Sequence, residues 1–154
     1  MTLHSNLLRT FAQAFSLLPW GHGDRGRVVE QVSIVVQNET VRLDPERLDA
    51  LYAQLGEAGA QDVLCRAMEE LAVRLTCCER LYLQGQCDEL HRVARSVAAI
   101  ADQIGMEMLA RVARDVSICI DGIDGNGLAA TLARLLRIGE RSLTAVWNIR
   151  DMSV

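Results

Sequence analysis

The stretch QCDELHRVARSVAAIADQIGMEML, residues 86–109, decides the fold. Leu90, Val93, Ala94, Val97, Ile100, Ala101 and Ile104 recur at the spacing of one helix face, and Gly105 interrupts them before Met108 and Leu109 resume the same period. Two amphipathic helices separated by so short a break must fold back on each other, since the connection has no length for any other path.

Working outward, the pattern continues on both sides. Val112, Val116 and Ile120 carry the second helix to Asp121, and the glycine-rich run Asp121-Gly122-Ile123-Asp124-Gly125-Asn126-Gly127 reads as a turn. A last helix is expected from Leu128 to about Ile149, with Leu132, Leu135, Leu136, Leu143, Val146 and Trp147 to bury. Upstream, Val63, Leu64, Ala67, Met68, Leu71, Leu75, Cys78, Leu81 and Tyr82 form the apolar stripe of a long helix that ends near Gly85. Gly56 and Gly59 set it apart from a short helix running to about Leu55. That helix opens at Asp44-Pro45-Glu46, where Asp44 suits the cap, Pro45 the first helical position and Glu46 the positive helix end. The prediction is an all-α dominant chain whose residues 44–150 form an antiparallel four-helix bundle.

Residues 1–43 have a different texture. Leu3, Leu7, Leu8, Phe11, Ala14, Phe15 and Leu18 predict an amphipathic helix, stopped by Pro19-Trp20-Gly21-His22-Gly23. Val28, Val29, Val32, Ile34, Val35, Val36 and Val41 then predict a short β segment, a strand or a hairpin turning near Asn38. Two strands without a covering partner are barely stable in water. This extension is therefore expected to lie against the bundle or to pair with a second copy, making a homodimer.

Composition narrows the function. Of 154 residues half are hydrophobic and 23% are charged, so the chain carries enough apolar side chain for one well-buried core. All 16 basic residues are arginine, scattered without dense basic runs, and the net charge is -4, which argues against a nucleic-acid partner. No run of 18 or more apolar residues occurs, so no membrane span is predicted. The five cysteines are an odd set with no Cys-x-x-Cys and no cleavable signal precedes them, a pattern that fits a reduced, cytoplasmic setting. Cys77-Cys78, with Cys65 and Cys87 nearby, reads as core packing, because adjacent helical residues point about 100° apart and share no ligand. Neither His4, His22 nor the Asp121–Gly127 run has the ligand spacing of a metal site. No cofactor or metal is predicted.

The order of these elements resembles the histidine phosphotransfer (HPt) domain: a short helix opening on Leu-Asp-Pro-Glu, a long helix, a break at Gly85 to Asp88, then a helix-glycine-helix hairpin. The resemblance covers Leu43 to Trp147. That family carries one phosphorylatable histidine in mid-helix, with a lysine and a glycine three and four residues later. Gly85, Leu90, Ile104-Gly105 and Leu109 fix the register without a gap. In that register the histidine position falls on Arg95, and the Lys-Gly pair falls on Ala98 and Ala99. A guanidinium stays protonated and cannot attack an aspartyl phosphate, so Arg95 cannot be a phosphoacceptor. The resemblance thus implies a degenerate, non-enzymatic member that has lost nucleophile, phosphate ligand and glycine together.

Two further readings stay open. His91 lies one turn before Arg95 on the same face and is a candidate displaced acceptor, which would keep the chain an active phosphorelay protein. Against this, placing His91 at the family's histidine needs four extra residues before Gly105. Otherwise His91 is a surface residue beside Glu89, Arg92 and Arg95. Asp88, His91, Arg95 and Asp102 share a face, where neighbouring turns can form ion pairs along the helix, and this face is the predicted partner-binding surface. The resemblance implies a receiver domain of a response regulator, or a histidine kinase, as the partner. The remaining alternative is a helical dimerisation module outside any phosphorelay.

Overall fold

The computed structural model describes residues 43–151, with side chains as far as residue 147. The predicted N-terminal helix and β segment lie outside the described residues. Four helices follow one another: α1 Pro45–Leu83, α2 Cys87–Gln103, α3 Glu107–Asp121 and α4 Gly125–Asp151. Among the described residues there is no strand.

Each helix packs on its two neighbours in a ring, α1 on α2, α2 on α3, α3 on α4 and α4 back on α1, so the described residues form a four-helix bundle. The direction reverses at every step because the connections are only Gln84–Gln86, Ile104–Met106 and Gly122–Asp124. The seam is closed by the predicted stripes: Leu71 and Leu75 from α1, Leu90 and Val97 from α2, Leu109, Val112 and Val116 from α3 and Leu135 from α4 are all essentially inaccessible to water, as is Ile138, which the predicted stripe of α4 does not include. Burying a side chain of this size contributes roughly 1.5–3 kcal/mol, which is what holds helices of this length together.

One helix-ending device serves all three connections. The N–H groups of Gln86, Met106 and Asp124 reach back to the carbonyls of Leu81, Ala101 and Cys119 at 2.9, 2.8 and 3.0 Å. Those of Gly85, Gly105 and Ile123 bond Tyr82, Asp102 and Ile120 at 3.0, 3.3 and 3.1 Å. This pair of bonds is the Schellman motif, and it needs a left-handed residue just past the helix. That residue is Gly85 (φ 68°), Gly105 (φ 78°) and Ile123 (φ 54°) in turn.

Three sequence expectations are corrected. The glycine-rich run 121–127 is a turn only at 122–124: Gly122 is a right-handed C-cap, and α4 starts at Gly125 and not at Leu128. The physical reason is Asp124, whose Oδ1 accepts from the N–H of Gly127 at 2.9 Å and so caps α4 four residues ahead of Leu128, its first apolar position. A side chain on Gly127 would strike that carboxylate, with the Cβ position 2.2 Å from Asp124 Oδ2. Gly59 is helical; only Gly56 (φ 69°, ψ 175°) leaves helical geometry, and it kinks α1 rather than separating two helices with a linker.

The start of α1 is as predicted. Asp44 Oδ1 accepts from the N–H of Glu46 at 2.9 Å and Pro45 occupies the first turn. Asp44 also donates its own N–H to the carbonyl of Gly105 at 2.9 Å, which ties the beginning of α1 to the α2–α3 connection. Gly105 is buried there, with its Cβ position only 3.2 Å from Arg47 Cβ, Asp44 Cβ and the Asp44 carbonyl. Across the α1–α4 seam, Gly139 plays the other close-packing role: its Cβ position is 2.4 Å from Leu75 Cδ1, and Leu75 is fully buried. No helix among the described residues is long and apolar enough to cross a membrane.

Candidate functional site

The apolar spacing of α2 buries Leu90, Ala94, Val97, Ala98 and Ala101 and thereby turns His91, Arg95, Ala99 and Asp102 toward the rim of the α2–α3 seam. Because α2 and α3 are antiparallel, high numbers on α3 lie beside low numbers on α2. Arg114, Ser117, Ile118 and Asp121 therefore complete the opposite wall. Between the walls runs a solvent-open groove of about 500 Å³. Ala98 and Ala99 put only methyl groups on its lining, where longer side chains would fill the space.

Two cross-helix pairs close the ends of this groove. His91 Nε2 lies 3.4 Å from Asp121 Oδ1 at one end, and Arg114 donates to Asp102 at the other. From His91 to Asp102 the axis of α2 rises about 16 Å. Pairs as exposed as these contribute only ~0–1 kcal/mol to stability. Their local effect is on charge: each carboxylate at the rim already has a basic partner. Arg95, midway between the pairs and exposed, has no side-chain hydrogen bond or ion pair among the described residues. Ser117 lies on the facing helix with 7% of its surface exposed, and its hydroxyl is buried without a hydrogen-bond partner among the described residues. A buried hydroxyl left unpaired costs roughly 1–3 kcal/mol, so this one stands out.

The predicted face is thus partly assembled. His91, Arg95, Ala98, Ala99 and Asp102 line one groove, while Asp88, in the first exposed turn of α2, does not line it. The expected ion pairs along α2 between these residues do not form. His91 and Asp102 pair across to α3 instead, and the pair within α2 is Arg92 with Glu89. His91 is half-buried against Asp121 rather than a free surface group beside Arg92 and Arg95. The α3 residues were absent from the sequence reading. The signal for them was the tight turn at Gly105, which sets α2 and α3 in antiparallel register, so that residues whose numbers sum to about 212–216 face each other.

Apolar groups flank the groove. Ile118, on its wall, is 65% exposed, and Ile123, just past the end of α3, is 92% exposed. The cysteines stand elsewhere. Cys65, Cys77 and Cys119 are half-buried, Cys87 is exposed, and none is disulfide-bonded. Burial, reinforced by the neighbouring Cys77 and opposed by Arg74, pushes the Cys78 thiol up to about 12, so it carries almost no thiolate at neutral pH and acts as core. Among the described residues no group of three or more His, Cys, Asp or Glu side chains could hold a metal ion.

No family model, no curated protein and no solved structure matches the chain.

Proposed function

We propose that the chain is a non-catalytic, HPt-like docking module that binds a protein partner, a receiver domain in the first instance, across the α2–α3 face. The observation that carries this reading is Arg95. It stands where the resemblance puts the phosphoacceptor, and it is exposed in the groove with no ion-pair partner among the described residues. A guanidinium of this kind is suited to bidentate recognition of a carboxylate, and it cannot take up a phosphoryl group. The exposed Ile118 and Ile123 support a protein partner over a small solute alone, since interface centres are more apolar than the rest of the surface and arginine is the charged residue enriched there.

A second reading, transfer through His91, draws on Asp121: a carboxylate 3.4 Å from Nε2 orients the imidazole and leaves the other nitrogen to act. One design tests both. Receiver domains from the source organism are titrated against the wild-type chain and Arg95→Glu. At least one receiver is expected to bind, and charge reversal is expected to weaken it by about tenfold or more. The docking reading fails if no receiver binds. In parallel, receivers charged with acetyl phosphate are incubated with the wild type and His91→Gln. Acid-labile phosphate that appears on the wild type and vanishes in the variant would establish transfer in place of docking.

A further inference from the structure

We infer that the α2–α3 groove is a binding site for one small oxyanion, a carboxylate or a phosphoryl group, held by Arg95 from α2 and Ser117 from α3. This deepens the docking reading by naming the chemical group that enters the groove.

Three observations converge on it. The first is charge. The groove has two arginines and two aspartates, which balance overall, but the pairing is uneven along its length. Arg114 pairs with Asp102 at one end and Asp121 has the His91 imidazole beside it at the other, so Arg95, in the middle, is the groove's guanidinium without an ion-pair partner among the described residues. An anion entering at mid-groove meets a guanidinium that no carboxylate engages. The second is the Ser117 hydroxyl. Ser117 is more than nine-tenths buried and is one of the residues that line the groove, and its hydroxyl oxygen, itself covered, has no hydrogen-bond partner among the described residues. A hydroxyl can donate to an oxyanion, and the guanidinium can donate through two N–H groups, which together offer three donors to an anion's oxygens. The third is space. Ala98 and Ala99 lie beside Arg95 on the groove lining, and a groove of about 500 Å³ is far more than a carboxylate or phosphate occupies.

Register puts the two donors at one level. His91 faces Asp121 and Asp102 faces Arg114, so on antiparallel helices the residues opposite Arg95 fall between Asp121 and Arg114, where Ser117 and Ile118 stand. Ile118, 65% exposed, bounds the site with a hydrocarbon wall.

The test uses the full chain and needs no partner protein, so failure of receiver docking and failure of this site are separate results. Sodium phosphate and, in a second arm, sodium acetate are titrated into isotope-labelled protein at ionic strength held constant with chloride, and backbone and arginine side-chain resonances are followed. Saturable shifts centred on Arg95 and Ser117 are expected. Arg95→Gln is expected to weaken phosphate binding by about tenfold or more, and Ser117→Ala by roughly two- to fivefold. Arg111→Gln, which removes an exposed arginine outside the groove, is expected to leave it unchanged. Phosphate bound more tightly than acetate identifies a phosphoryl group as the natural occupant; acetate bound as tightly identifies an acidic side chain of the partner. Shifts that never saturate, unchanged binding in Arg95→Gln or Ser117→Ala, or an equal loss in Arg111→Gln overturn the proposal. Circular dichroism of each variant separates lost binding from lost fold.

Discussion

The α2–α3 and α3–α4 connections have the same backbone and opposite surroundings. Each closes with the same two hydrogen bonds and one left-handed residue, yet one uses a buried glycine, Gly105, and the other an isoleucine, Ile123, that is 92% exposed. At Gly105 the choice is forced twice over: by φ 78° and by the three atoms of Asp44 and Arg47 that stand 3.2 Å from where a Cβ would lie. At Ile123 neither packing nor backbone explains the residue. A β-branched side chain at φ 54° is strained by roughly 1–2 kcal/mol, and it covers no core in return. The difference teaches that the first turn is shaped by the fold and the second carries a residue the fold alone would not select. The second directly follows Asp121, which pairs with His91 at one end of the groove.

The largest test of this contrast is at the buried turn. Gly105→Ala combines left-handed strain with contacts tighter than side chains normally tolerate, so a loss of about 2–3 kcal/mol is expected from urea unfolding. Displacing Asp44 would also disturb its N–H bond to the Gly105 carbonyl and the cap of α1. A loss under about 0.5 kcal/mol would mean that the α2–α3 turn is no more constrained than a surface loop.

The α1–α2 connection separates the two causes, because Gly85 has the same geometry (φ 68°) but nothing within 4 Å of its Cβ position. Gly85→Ala should therefore cost only the backbone part, roughly 1 kcal/mol, offset slightly by the lower entropy of the unfolded chain. If Gly85→Ala and Gly105→Ala cost the same, then packing of α1 against Gly105 contributes nothing and the comparison collapses to backbone strain.

These turns also explain what was legible in the sequence. Gly85 and Gly105 announced two connections correctly, because in both the residue that breaks the apolar period is the residue that goes left-handed. The third differs in length: three glycines and an asparagine between Asp121 and Leu128 look like one long turn, whereas the left-handed residue is Ile123 and the glycines at 125 and 127 start a helix that Asp124 caps. Glycine content is a poor guide where a side-chain cap overrides it. The site was half legible for a similar reason. Helical period puts Asp88, His91, Arg95 and Asp102 on one face of α2, and of these all but Asp88 line the groove, but the partners of His91 and Asp102 come from α3, and pairing across helices depends on register and tilt that no single-helix pattern contains. The buried Ser117 hydroxyl gave no sign at all, since a serine among Asp115, Val116 and Ile118 reads as an ordinary position on a helix edge.

The smallest expected effect is at Ile123, and it has the opposite sign. Ile123→Gly removes the left-handed strain and, with 92% of the side chain exposed, gives up almost no burial; against this, glycine frees the unfolded chain by roughly 0.5–1 kcal/mol. The net expectation is a stability unchanged or raised by up to about 1 kcal/mol, read from the same urea transitions. Binding should move the other way. If Ile123 persists in a strained conformation because it forms the apolar edge of the docking face, the glycine variant will bind a receiver several-fold more weakly while folding at least as well, the signature of a residue kept for function at the expense of stability. A variant that loses stability shows that Ile123 supports the fold after all, and one that binds a receiver as tightly as the wild type removes Ile123 from the interface and confines docking to the groove around Arg95.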